Sequence, residues 1–145
     1  MDKKSKFREL IKEVELDKIF LVNEQLNNND TKDEEEYEVS TKLSVEVSVA
    51  DIEEYDSDKI LPVKIRIGLI RYVDNEDEIF NLNCEFVSSF KITDYHIDIE
   101  EINKDRELTQ EISKELLNKA YPDIRMHINN VLTSCKIILS LPDKL

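Results

Sequence analysis

Two histidines and two cysteines are the strongest ligands and nucleophiles this chain offers. A cysteine thiolate or a neutral imidazole could bind a soft metal or act on a carbonyl. Their settings point to plainer work. His96 and His127 stand far apart, in unlike contexts, so spacing proposes no shared site. His127 lies close to Arg125 on the polar side of a helical pattern and reads as a surface histidine. Cys84 falls on the apolar face of a strand pattern and Cys135 on a helical stripe. Neither has cations nearby to lower its pKa, so both read as reduced core residues. The acidic runs at 33–36, 53–58 and 74–78 could in principle hold calcium, but they lack the D-x-D-x-D-G spacing and read as solvated loops. Gly68 is the single glycine, which excludes a Gly-rich phosphate loop. No nucleophile stands beside a base, so no catalysis, no cofactor and no metal is expected.

The elements around these residues must fit in 145 residues, expected to form one domain spanning 1–145. Forty per cent hydrophobic content supports a core, and 37% charged residues with a net charge of -13 give a strongly acidic surface. That charge argues against nucleic acid and against anionic membranes, and favours a cationic partner or client. No apolar run approaches the ~20 residues needed to span a bilayer, so no membrane insertion is expected. The basic start MDKKSKFRELIKEVELDK has no apolar segment like that of a signal peptide, which predicts a cytoplasmic protein.

Periodicity sets the order of elements. Leu108, Ile112, Leu116, Ala120, Ile124, Ile128 and Leu132 form an unbroken i, i+4 ladder, the mark of one apolar stripe on a long helix. Pro122 lies inside it and predicts a kink or short break near Leu117 to Tyr121. Upstream, Phe7 to Val14 suits a helical turn, and Leu16 to Val22 suits a strand with a bulge around Lys18. A mobile acidic loop is expected at about 27–36. Tyr37 to Val49 alternates strictly, with Val39, Leu43, Val45, Val47 and Val49 on one side, and predicts one buried and one exposed face. An acidic turn at 51–59, a strand over Leu61 to Val73, a turn at 74–77 and a strand over Ile79 to Ile92 follow. Thr93 to Glu107 reads as an acidic crossing that carries Tyr95, Ile97, Ile99 and Ile102. After Cys135, Ile137 to Leu141 and Pro142 read as extended. The predicted fold class is α+β: a four-stranded antiparallel sheet followed by a long, Pro-kinked helix packed on one face. Ile70 and Tyr72 on the outer side of the third strand, together with a helical stripe wider than one sheet can cover, predict a homo-oligomer, a dimer or tetramer.

The run Ala120-Tyr121-Pro122-Asp123-Ile124-Arg125, then Ile128, Val131, Leu132 and Thr133, closing on Leu139-Ser140-Leu141-Pro142, resembles the SecB protein-export chaperone family. Phe86-Val87-Ser88-Ser89-Phe90-Lys91-Ile92 is similar to its aromatic-rich strand, and Leu16-Asp17-Lys18-Ile19-Phe20 to its first strand. The chain departs from the pattern in lacking glycines before Phe90, and in having Ser134-Cys135-Lys136 where a glycine is common. It also reaches Leu145 where longer members carry a second helix.

The resemblance implies a holdase that keeps unfolded polypeptides from folding for protein export, assembled as a dimer of dimers. It also implies docking to a translocase motor, for which Asp17 is the position carried over. A related branch serves antitoxins. An adaptor that keeps the fold but binds one specific partner is the competing reading. Aromatic residues beside serines between acidic flanks make an adaptable apolar surface, so Phe80, Phe86, Phe90 and Tyr121 are the expected client-binding residues.

Overall fold

The structure, a computed structural model, describes residues 8–9, 11–12, 14–29, 39–50, 53–55, 58–74, 77–92 and 104–145. Its elements are β1 (Glu15–Asn28), β2 (Val39–Val49), β3 (Glu53–Tyr55), β4 (Asp58–Val73), β5 (Asp77–Ile92) and one long helix, α1 (Arg106–Ser134). The long strands form one antiparallel sheet in the order β1-β5-β4-β2, and the short β3 pairs with the start of β4. The predicted strands are present; β1, β4 and β5 extend beyond their predicted spans, and β2 is described from Val39. β3 occupies part of the span expected to be an acidic turn. Asn27 and Asn28, expected in the acidic loop, extend β1. Residues 30–36 of that loop, Tyr37, Phe7, Leu10 and residues 93–103 of the crossing, with Tyr95, His96, Ile97, Ile99 and Ile102, lie outside the described residues. The end of the crossing, Arg106 and Glu107, opens the helix.

Central strands are buried because both of their edges are paired and one face is covered. On β4, Leu61, Val63, Ile65, Ile67, Leu69 and Val73 are buried. On β5, Leu82, Cys84, Phe86 and Phe90 sit opposite Leu69, Ile67, Ile65 and Leu61 in register, and Phe80 and Ile92 are buried at the two ends of the same row. The full predicted ladder of α1, from Leu108 to Leu132, closes this core, together with Leu117 and Tyr121. Ser88 joins the apolar row without penalty, because its hydroxyl donates to the Val63 carbonyl at 3.1 Å. β2 departs from expectation. Its apolar residues Val39, Leu43, Val47 and Val49 are only half-buried, and Val45 is exposed. As an edge strand it pairs, among the described residues, only with β4.

α1 begins at the N-cap Asp105, whose carboxylate accepts from the Leu108 N–H at 3.1 Å. It runs unbroken through Pro122, so the expected short break does not occur. Its end is a Schellman motif: Ile137 N–H donates to the Leu132 carbonyl at 2.9 Å, and Lys136 N–H to that of Thr133 at 3.0 Å. Lys136 takes the left-handed conformation (φ 59) that glycine normally fills. Ile137 and Leu132 are both buried, as the hydrophobic contact of that motif requires.

The outer face of the sheet is polar. Glu85 on β5 meets Lys64 at 3.1 Å and Arg66 at 3.7 Å on β4. Gly68 sits among them because a Cβ there would come within 2.7 Å of the Ser44 hydroxyl and 3.1 Å of the Asn83 side-chain oxygen. Ile70 and Tyr72, expected on this outer side, are half-buried.

Candidate functional site

The aromatic residues expected to meet a client lie in the core. Phe80, Phe86 and Phe90 occupy the face of β5 beneath α1, and Tyr121 faces inward from the helix. The Tyr121 hydroxyl donates to the Pro142 carbonyl at 2.5 Å. Burial pushes its pKa up, the carboxylate of Asp143 adds to this, and Arg125 opposes it. None of the four presents its ring at the surface of this chain. The cause is position in the sheet: on a central strand, the aromatic face is the face the helix covers. Asp17 is exposed at the first bulge of β1.

Exposed apolar area concentrates on β1 instead. Phe20 is 55% exposed, Val22 54%, Leu26 47% and Leu21 40%. Among the described residues β1 pairs only with β5, so its other edge carries backbone donors and acceptors without a sheet partner. The strand has 14 residues, a span of ~46 Å at ~3.3 Å per residue. Its register with β5 shifts between Leu16 and Lys18 and again between Leu21 and Asn23. Each shift is a bulge that flips the side-chain parity beyond it. Phe20 is paired with Val87 on the outer face, whereas Leu21 is paired with Phe86 and Leu26 with Leu82 on the helix side. The edge therefore offers apolar contacts on both faces and a row of main-chain hydrogen-bonding groups, the chemistry that accepts an extended peptide as an added strand.

The tail after α1 folds back along it. Tyr121, Arg125 and Asn129, spaced four residues apart, form one ridge of the helix, and all three hold the tail. The Arg125 Nε donates to the Leu141 carbonyl at 3.1 Å, and the Asn129 side-chain oxygen accepts from the Leu141 N–H at 2.9 Å. Arg125 also pairs with Asp143 at 2.8 Å. Ile137 and Leu141 are buried.

A cluster that periodicity hid lies where β1, β5 and α1 meet. The second bulge turns Glu24 to the helix side, directly opposite Cys84. The Cys84 thiol donates to Glu24 Oε1 at 3.4 Å, and His127 Nε2 lies 2.7 Å from the same oxygen. The His127 ring stands edge-on to Phe86 at 5.7 Å. His127 thus has partners that a surface histidine would lack. Burial, then the hydrogen bond and charge of Glu24, push the Cys84 thiol up to about 12.

An antiparallel sheet in the order β1-β5-β4-β2, covered on one face by a single long helix, defines an α+β single-sheet fold. That fold is the SecB-like one. The chain is similar to the Mycobacterium tuberculosis SecB-like chaperone Rv1957, solved in complex with a ChAD peptide from the Rv1956 HigA1 antitoxin. The TM-score is 0.65 at 16% identity, over 89% of each chain. A Streptococcus agalactiae protein of unknown function matches with a TM-score of 0.49 and 14% identity, over 90% of this chain and 97% of that one. No family model and no curated protein matches the sequence. Among the described residues, no helix is long and apolar enough to cross a membrane.

Proposed function

We propose that this chain is a non-catalytic cytoplasmic chaperone that holds extended segments of unfolded polypeptides as an added strand on the open edge of β1. The observation that carries the reading is the coincidence, on one strand, of an open main-chain edge with Phe20, Leu21, Val22 and Leu26 exposed. Main-chain pairing binds without reading sequence, and the apolar side chains add affinity through burial. The net charge of -13 keeps a chain with such a surface dispersed and draws basic segments toward it. The SecB-like fold supports the class, and the peptide bound to the mycobacterial chaperone favours an antitoxin-type segment as client over an export client.

Asp17, exposed at the first bulge of the same strand, is the proposed contact for a further partner such as a translocase motor. Assembly as a dimer or tetramer belongs to the proposal, because the half-covered β2, away from the client edge, leaves apolar area that a second copy would bury. The test is suppression of aggregation of several unrelated denatured proteins. A holdase protects most of them. Protection of one alone, or of none, overturns the general reading and leaves an adaptor for one partner.

A further inference from the structure

We propose that Glu24, Cys84 and His127 form a binding site for a borderline-soft divalent cation, with Zn2+ the best fit. The site goes beyond the chaperone reading and does not depend on it. Three different elements deliver one donor atom each: a carboxylate oxygen from β1, a thiol sulfur from β5 and an imidazole nitrogen from α1. All three atoms lie within 4.8 Å of one another, and among the described residues this is the one such group.

A tetrahedral Zn2+ holds sulfur at ~2.3 Å and nitrogen or oxygen at ~2.0–2.2 Å, which places its donors ~3.3–3.7 Å apart. The Cys84–Glu24 separation of 3.4 Å already fits that spacing. The His127–Glu24 contact of 2.7 Å must open by about half an ångström, within the freedom of two side chains that are each about one-third exposed (33% and 30%). Cys84 is buried and supplies the fixed floor of the site. The two partly exposed donors leave a side open for a fourth ligand, either water or a group from another molecule.

Charge closes on the same set. Without metal, the Glu24 side chain accepts from the Cys84 thiol on the helix-facing side of the sheet, the side on which β1 also places Leu16, Ile19, Leu21 and Leu26. On binding, the Cys84 S–H bond breaks, its proton leaves to solvent, and a sulfur–metal bond forms. Thiolate, carboxylate and a dication then sum to zero, with a neutral imidazole as the third ligand. The cation would tie the edge strand β1 to the helix that covers the sheet.

The test is titration of the metal-free full chain with Zn2+ and with Co2+ under reducing conditions. The expected result is one ion per chain, a thiolate-to-cobalt charge-transfer band with tetrahedral Co2+ absorption, and a higher thermal midpoint with Zn2+. Cys84→Ser abolishes the charge-transfer band. His127→Gln and Glu24→Gln weaken binding by more than the ~10–100-fold that loss of a mere supporting partner costs. Cys135→Ser changes nothing. Should Cys84→Ser fail to fold, the two rim variants decide, since neither Glu24 nor His127 is fully buried. A wild-type chain that takes up no Zn2+ or Co2+ at micromolar metal overturns the proposal. So does binding that folded His127→Gln and Glu24→Gln variants retain unchanged.

Discussion

β5 and β1 are neighbours of nearly equal length, 16 and 14 residues, and both are rich in large apolar side chains. On β5 those side chains disappear under the helix, with Phe80 and Phe90 fully buried. On β1 they remain in the open, with Phe20 and Val22 more than half exposed. The two strands differ in partners and in regularity. β5 is paired along both edges and alternates without interruption against β4 from Lys59 to Arg71. Among the described residues, β1 is paired along one edge, and it changes face twice. An aromatic residue on a strand therefore says little about client contact until its place in the sheet is known. Between these two strands, pairing on both edges and unbroken register go with burial, and the single paired edge and two bulges go with surface left to offer.

The sharpest way to break the comparison is to put a charge where α1 meets the sheet. Ile124→Asp buries a carboxylate without a partner and should cost several (~3–5) kcal/mol, enough to abolish cooperative unfolding. A normal melting curve would show that the stripe is misassigned. Phe90→Ala, on β5, should cost ~3–5 kcal/mol in urea unfolding, whereas Phe20→Ala on β1 should cost less than ~1 kcal/mol. Equal costs would erase the distinction between the two strands.

The junction of these strands also predicts a pH effect. The Cys84 thiol ordinarily titrates near 9.0 and is pushed up to about 12 in the folded chain. The native state therefore holds a proton that the unfolded chain gives up. The stabilisation is complete below about pH 9, the unfolded value, and is lost as pH rises toward about 12. Within that window stability should fall by up to ~1.4 kcal/mol per pH unit, with Tyr121 adding in the same direction. Denaturant midpoints of Cys84→Ala across this range should fall less steeply than those of the wild type.

A smaller effect is expected at the helix end. Lys136→Gly removes a left-handed non-glycine residue from the Schellman turn and should stabilise the chain by ~1 kcal/mol, read from the thermal midpoint.

How much of this was legible in the sequence follows from the same contrast. The ladder from Leu108 to Leu132 and the alternation of Val63 to Val73 and of Phe80 to Ile92 carried the helix, the two central strands and their buried faces. Aromatic character drew the client site to Phe80, Phe86 and Phe90, because composition does not reveal which strand is central. Glu24 went unread because its inward turn comes from a bulge at Val22 that no residue type announces. Without that turn, Cys84 and His127 had no reason to be considered together. The fold-back of the tail onto Tyr121, Arg125 and Asn129 depends on contacts that periodicity alone does not reveal.

The most direct test is client binding by a chain altered only on the edge strand. Phe20→Ser with Leu26→Ser should leave unfolding within about 1 kcal/mol of wild type, since both side chains are about half in solvent already. The same variant should lose most of its suppression of aggregation of denatured proteins and most of its affinity for an extended basic peptide. High salt should weaken the wild-type interaction without abolishing it, because screening removes the attraction of the acidic surface and leaves apolar burial in place. A folded double variant that protects clients as well as the wild type would contradict the assignment of β1 as the binding edge.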